Sequence, residues 1–364
     1  MASGIPRDVV ASKPRSVRLA EVLDSLVRPA ELVCPEDGGS VRCFACAHRC
    51  LVRPGRRGIC QVRFNRDGTL YAPSRYVAGL HSDPIEKKPF YHVLPGHETL
   101  TFGMLGCDFH CGYCQNWVTS QALRDESAGM APTVLSPDDL IVIARRAGAR
   151  MVTSSYNEPS ITAEWAMEIF RSAKAEGFKT AFVSNGNCTP QVLDYIRPFT
   201  DCYKIDLKTM SDRAYRKLGG MLARVLDSIR MVYERGFWLE VVTLVVPGFN
   251  DDPVELAEAA QFIASVSPDI PWHVTAFHGE YRMAKYTSTR VGTLLQACEI
   301  GKQAGLRYVY AGNYPGHVGP WEDTSCPDCG DVLVERRGYL VRRVRVTEAG
   351  LCPSCGARIP GVWR

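Results

Sequence analysis

The chain has little that would carry it to a membrane. Its longest apolar run, residues 241–246, stops at Pro247-Gly248 and is far short of the ~20 residues that a bilayer span needs. The opening Met-Ala-Ser-Gly-Ile-Pro-Arg has no apolar core ahead of a small-residue cleavage site, so no secretory signal is expected. Low-complexity segments and strong internal repeats are missing. Neither sign of charge dominates: 43 Lys and Arg against 39 Asp and Glu leave +4 over 364 residues, which gives no reason to expect nucleic acid. An apolar fraction of 46% with 23% charged residues is ordinary for a globular protein. That length holds one large domain and one or two small ones. Cysteine is what the chain has in excess. Fifteen cysteines, mostly in three dense clusters, point to metal sites in a reducing, cytoplasmic setting rather than to disulfides.

The middle cluster is Cys107, Cys111 and Cys114, in Gly-Cys-Asp-Phe-His-Cys-Gly-Tyr-Cys-Gln-Asn. A [4Fe–4S] cubane has four irons, and three thiolates leave one iron open to hold a small molecule. A zinc loop is the plain alternative. Zinc sites present cysteines as paired C-x2-C knuckles, and this triplet has no second knuckle beside it. The C-x3-C-x2-C spacing, with Tyr113 just before the last cysteine, resembles the signature of the radical S-adenosylmethionine (SAM) superfamily. The resemblance implies that the open iron is chelated by the amino and carboxylate groups of SAM. It also implies reductive SAM cleavage to a 5′-deoxyadenosyl radical that abstracts hydrogen from a substrate. An electron donor such as flavodoxin or ferredoxin is then a partner.

From about residue 99 to residue 313, strand-like and helix-like segments alternate. Strands are expected at 99–105, 150–155, 179–184, 202–207, 238–246, 273–277 and 308–311, with helices at 138–148, 163–176, 223–235, 254–266 and 293–304. Such βα units build a parallel sheet, open or closed. The cysteine motif directly after the first strand, with polar motifs at later strand ends, favours a barrel, which builds its site there. The expected fold is α/β: a partial (β/α)6 TIM-like barrel of the radical SAM type with cysteine-rich metal modules at both ends. Its divisions are an N-terminal extension with a short amphipathic helix (1–35), a cysteine-rich module (36–97), the barrel (98–318) and a zinc ribbon (319–364).

Later strand ends resemble those of pyruvate formate-lyase activating enzymes. Tyr156-Asn157-Glu158-Pro159 stands where that family has Gly-Gly-Glu-Pro, which implies that Glu158, with Asn157 beside it, holds the SAM amino group. The plain alternative is that Glu158 and Pro159 open the next helix. Val183-Ser184-Asn185-Gly186 resembles the family's Asp-Thr-Asn-Gly, placing Ser184 and Asn185 near the ribose or carboxylate of SAM. Asp206-Leu207-Lys208 matches its Asp-Leu-Lys, but Val183 replaces a second aspartate that helps hold a monovalent cation in the family. Lys208 is expected to face the substrate or the SAM carboxylate. The sixth strand offers His273 and His278, of which His278 aligns with a family histidine near SAM.

Two cysteine sets flank this region. Cys43, Cys46, Cys50 and Cys60, with His48 as a spare ligand, suffice for zinc or for a second iron–sulfur cluster, and spacing does not choose between them. Cys326-Pro-Asp-Cys329-Gly330 and Cys352-Pro-Ser-Cys355-Gly356 are two knuckles separated by a hairpin-like segment, which reads as a zinc ribbon. Its Arg336, Arg337, Arg342, Arg343 and Arg345 could grip an acidic partner or nucleic acid, but a solvated hairpin face is the simpler reading.

Read together with Asp83-Pro-Ile-Glu-Lys-Lys-Pro89, Tyr91-His92, Leu94-Pro95-Gly96, Cys114-Gln-Asn-Trp117 and Pro271-Trp272-His273, these segments resemble the radical SAM enzyme of the AmmeMemoRadiSam system over residues 40–364. That resemblance implies companion proteins as partners. Lys87, Lys88, Tyr91 and His92 are either substrate contacts or a surface-anchoring loop. Two other functions compete: an activase that makes a glycyl radical on a partner protein, and a metal-organised RNA-binding or structural module. The second has no need of a cysteine triplet beside a carboxylate-bearing strand end.

Overall fold

All seven segments expected as strands enter one sheet. The computed structural model describes residues 15–364, in which Glu98–Gly103, Met151–Ser154, Lys179–Ser184, Cys202–Asp206, Trp238–Val245, Trp272–Ala276 and Val309–Gly312 run parallel, each beside its chain neighbour. Apolar, largely β-branched strands joined by helices favour this arrangement, because both faces can be covered. Among the described residues the two edges of the sheet do not pair, so it stays open.

One edge strand escaped the sequence. Gly79–Pro84 pairs antiparallel with Glu98–Gly103, although it lies in the stretch assigned to the cysteine-rich module. Its His81, Ser82 and Asp83 give no apolar alternation, and an edge strand needs none, because one side stays open.

Helix starts follow local chemistry. Ser136 and Asp139 form a capping box before Pro137–Arg146, Thr189 accepts from Val192 N before Pro190–Ile196, and Asp252 accepts from Val254 N before Pro253–Val266. Proline opens each, where its missing N–H is not needed. The N-terminal helix occupies Arg15–Leu23, with Leu19 against Gly129; residues 1–14 of the expected extension lie outside the described residues. No described helix is long and apolar enough to cross a membrane.

The cysteine-rich module is two small antiparallel sheets, Val33–Pro35 with Val41–Cys43 and Leu51–Val52, and Val27–Pro29 with Thr69–Pro73 and Phe64–Arg66. Arg63 ties it to the helix Ala163–Ala175 by two hydrogen bonds to Glu164, at 2.8 and 2.6 Å. The C-terminal hairpin, Val332–Arg337 with Leu340–Val344, packs on the other flank. Its arginines divide: Arg337, Arg342 and Arg343 stay exposed, as on a solvated hairpin face. Arg336 is buried, donating to Tyr91 O (2.6 Å) and Thr324 Oγ1 (2.8 Å), while Arg345 pairs with Asp331 and Arg343 with Glu335.

Candidate active site

The cysteine loop leaves the first parallel strand and is fixed from several sides. Gly106 N donates to Thr119 O (3.0 Å), His110 N to Leu218 O (2.9 Å) and Arg282 N to Gly112 O (3.1 Å). Buried Phe109 lies so close to Gly220 that a Cβ there would stand 2.4 Å from its ring, so only glycine fits.

Donors converge on the sulfurs. Phe109 N points at Cys107 Sγ (3.4 Å), Ser120 Oγ lies 3.2 Å from Cys114 Sγ, and Asn185 Nδ2 lies 3.8 Å from Cys107 Sγ. Burial lifts all three thiols, Cys111 to about 12, so as bare side chains they are neutral. Sulfurs that already receive hydrogen bonds suit thiolates bound to iron, and this donor set fits a cluster.

Two connected hollows open beside them. A cavity of about 330 Å³ and a smaller one of about 90 Å³ share walls at Cys111, Cys114, Val183, Asp206 and Lys208. Tyr113 lines the larger; Cys107, Asn157, Glu158, Ser184 and Asn185 line the smaller. Seven polar site residues expected from sequence (Tyr113, Asn157, Glu158, Ser184, Asn185, Asp206 and Lys208) therefore come together around the cysteines. His278 does not: it is exposed, beyond the end of its strand, and faces a neighbouring hollow with Asn313 and Tyr339.

Glu158 holds strand ends together as well as facing the cavity. Its Oε1 accepts from Ser160 N (3.0 Å), Ser160 Oγ (2.6 Å) and Ser184 Oγ (2.8 Å); its Oε2 accepts from Asn185 N (2.8 Å). Oε1 is full, while Oε2 keeps a lone pair for one more donor. Burial, then the neighbouring Asp108, raises its carboxyl to about 7. Its bond to Ser160 N also opens the short helix Pro159–Thr162, so the helix-opening role is present too. Asn157 serves the backbone, accepting from Met104 N (3.0 Å).

Tyr156, where the activating enzymes have glycine, sits at φ +66, a conformation that costs a bulky residue energy. Its hydroxyl donates to Asp83 Oδ2 (3.0 Å), and Lys88 lies 4.5 Å over its ring, which holds it there. Lys87, Lys88 and Tyr91 line the larger cavity. His92 lies fully buried beneath them, 2.6 Å from Tyr310 Oη and 2.7 Å from Pro360 O.

Sequence reasoning missed Lys204 and Glu240, and passed over His273 for His278. Lys204, two before Asp206 on the same strand face, makes an ion pair with it, and Lys208 lies 3.2 Å from the other oxygen. Burial works against the Asp206 charge, yet the two ammonium groups hold its carboxyl at about 2. Two-residue periodicity could have found Lys204. His273 lines the larger cavity with Nε2 2.6 Å from buried Glu240, which also accepts from Tyr91 N (2.9 Å) and His92 N (3.0 Å). A glutamate inside the apolar strand Trp238–Val245 was its signal.

At the C-terminus the expected knuckles form. Cys326 and Cys355 sulfurs are 3.6 Å apart, Cys329 and Cys352 sulfurs 3.7 Å, and all four lie within 4.8 Å of one another. Gly330 and Gly356 take φ +77 and +78 to close the turns. This four-cysteine cluster can hold a metal. The N-terminal four lie near one another without closing: Cys43 N bonds Cys50 O (3.0 Å) and Cys46 is close enough to Cys43 and Cys60 to feel their charge, but no three of their sulfurs come within 4.8 Å of one another.

Residues 102–260 match the family model described as Radical SAM superfamily. An uncharacterized protein of Methanocaldococcus jannaschii is 32% identical over 89% of this chain and 96% of its own length. The pyruvate formate-lyase 1-activating enzyme of Escherichia coli strain K12 is 31% identical over 43% of this chain and 65% of that enzyme. A pyruvate formate-lyase-activating enzyme of Staphylococcus aureus is 24% identical over 62% of this chain and 92% of its own. With its C-x3-C-x2-C loop at the end of the first parallel strand, the chain belongs to the radical SAM superfamily and is related to the pyruvate formate-lyase activating enzymes.

Proposed function

We propose that this is the radical SAM enzyme of the AmmeMemoRadiSam system, its open sheet curled as a partial (β/α)6 barrel, acting on a substrate held in the larger cavity. One observation carries the reading: three cysteines, two carboxylates (Glu158 and Asp206), two amides (Asn157 and Asn185) and Lys208 from four successive strand ends surround one connected space. Cys107, Cys111 and Cys114 would hold a [4Fe–4S] cluster, which supplies the electron for reductive cleavage of SAM to a 5′-deoxyadenosyl radical.

The chain's own residues bind and orient. The free lone pair of Glu158 Oε2 accepts the SAM amino group, a charge-assisted contact. Asp206, already balanced by Lys204 and Lys208, leaves the Lys208 ammonium to meet the SAM carboxylate. Asn185 and Ser184 fix the floor below, and Val183 excludes water from the wall between the hollows. Lys87, Lys88, Tyr91, His273 and Tyr339 face the substrate. Zinc in the C-terminal knuckles would hold the hairpin that carries Tyr339. A flavodoxin or ferredoxin supplies electrons, and companion proteins of the system are partners.

Reduced, reconstituted protein should convert SAM to 5′-deoxyadenosine and methionine. The Cys107→Ala/Cys111→Ala/Cys114→Ala variant should not, and cleavage by that variant would sink the proposal. A second reading, activation of a partner by a glycyl radical, rests on the likeness to activating enzymes. Tyr156-Asn157 and Val183, in place of that family's residues, speak against it. A glycyl paramagnetic resonance signal on an added partner would favour it.

A further inference from the structure

We infer that Cys43, Cys46, Cys50 and Cys60 hold a second iron–sulfur cluster rather than zinc, seated against the first site across the carboxylate of Asp108. The seat, though not the metal, rests on the reading of Cys107, Cys111 and Cys114 as cluster ligands.

The sulfur spacing argues for the metal. A zinc tetrahedron with Zn–S near 2.3 Å has sulfur–sulfur edges of about 3.8 Å. The C-terminal set has that size, with contacts of 3.6 and 3.7 Å. It is the only group among the described residues that brings three or more ligand atoms within 4.8 Å of one another. Neither the N-terminal four nor the Cys107 triplet closes that far. Ligands of a cubane stand wider apart because each sulfur binds a different iron at a different corner. The N-terminal set therefore resembles the triplet in kind and not the ribbon. Its order, C-x2-C-x3-C-x9-C, likewise has one knuckle where zinc ribbons have two.

The seat is built by direct contact. Gly106, at φ +96, lies so close to the module that a Cβ would stand 2.7 Å from Val62 and 3.1 Å from Cys60 O. Ala47 N donates to Asn187 O (2.9 Å). Between the two cysteine sets lies Asp108, fully buried, accepting from Asn185 Nδ2 (2.7 Å) and Asn187 Nδ2 (2.8 Å). Its Oδ1 is 3.7 Å from Cys107 Sγ, and its Oδ2 is 4.0 Å from His48 Nε2, a buried nitrogen with no hydrogen-bond partner inside the N-terminal set. One negative charge thus faces both sites. Removing it should make adding an electron easier at each.

The test is anaerobic reconstitution of the full chain with iron and sulfide, zinc also present. Wild type should bind about eight irons, as two cubanes require. The Cys107→Ala/Cys111→Ala/Cys114→Ala variant should keep about four and still show the resonance signal of a reduced cubane, and adding Cys43→Ser/Cys46→Ser to it should abolish that signal. Iron-free triplet variant with zinc beyond the ribbon's single equivalent overturns the second cluster. Unchanged iron in that variant instead sinks the triplet reading and leaves the second cluster standing. Metal analysis of unmodified wild type covers misfolded variants: an iron content of about four with two zincs overturns the inference without any substitution. In Asp108→Asn both reduction potentials should rise; a shift confined to one signal overturns the shared seat.

Discussion

Arg63 and Glu164 form an ion pair with side chains 1% and 0% exposed, and it tests how the cysteine-rich module is held. Arg63 also donates to Ile161 O (3.1 Å), and Glu164 Oε1 lies 3.3 Å from Glu31 N and 3.4 Å from Leu32 N. Burial alone would lift the Glu164 carboxyl; the guanidinium outweighs it and holds the carboxyl below its ordinary 4.5. Arg63→Met removes one partner and leaves a buried carboxylate, which costs about 3–5 kcal/mol. Arg63→Met/Glu164→Leu removes both charges and should recover most of that, because buried pairs often exchange for apolar residues at little net cost.

A chain of several modules has no single unfolding free energy, so the effect is read locally. Hydrogen exchange in the Thr69–Pro73 strand should lose about two to four powers of ten in protection in Arg63→Met, while the main sheet keeps its own. The pH slope should reverse as well. In wild type the carboxyl is depressed in the folded state, so its contribution is present above 4.5 and lost as pH falls below it. In Arg63→Met the lone carboxyl is raised, so the deficit should shrink in acid and grow as pH rises. A loss of less than tenfold, or a double variant as weak as the single, would refute the reasoning.

Three other outcomes are expected. Glu158→Ala should weaken SAM binding by about one to two powers of ten, since a charge-assisted contact is worth about 1.5–3 kcal/mol, and anaerobic equilibrium dialysis measures it. Glu158→Gln should do less harm, because it keeps an acceptor oxygen beside Asn185 N but not the charge; wild-type affinity in both would reduce Glu158 to a helix opener. Cys326→Ser/Cys355→Ser should lose one zinc and expose the Val332–Val344 hairpin to protease, with iron content unchanged; intact zinc there would place the metal elsewhere. Gly220→Ala should push Phe109 and loosen the cysteine loop at a cost of about 1–3 kcal/mol, seen as faster loss of the cluster's absorbance under a chelator.

Sequence showed the parallel strands because each is a short apolar run, and it showed the ribbon because each knuckle is local. Gly79–Pro84 stayed hidden since a polar edge strand has no period to read. The two histidines of the sixth strand show the same limit. His273, second in Trp272–Ala276, points into the cavity by alternation, while His278 lies past the strand's last residue, where alternation stops and solvent begins. Matching a family histidine chose the exposed one. Asp108 looked like an ordinary loop residue because its partners, Asn185 and Asn187, lie nearly eighty positions on.

The three cysteine sets differ in how far their shape depends on the rest of the chain. In the ribbon, Gly330 N bonds Cys326 O (2.9 Å) and Gly356 N bonds Cys352 O (2.9 Å), so each knuckle is complete within five residues. Such a site is readable from spacing alone. The triplet instead needs Gly220, Leu218 and Arg282 from distant segments to hold its loop, and the N-terminal set needs Asn187 and Arg63. Long-range walls hold these two sets, neither of which draws three ligand atoms within 4.8 Å of one another. They also bring Asp108 between them. Damage to the ribbon should therefore remain local, whereas a change at Asp108 or its asparagines should register at both of the other sites.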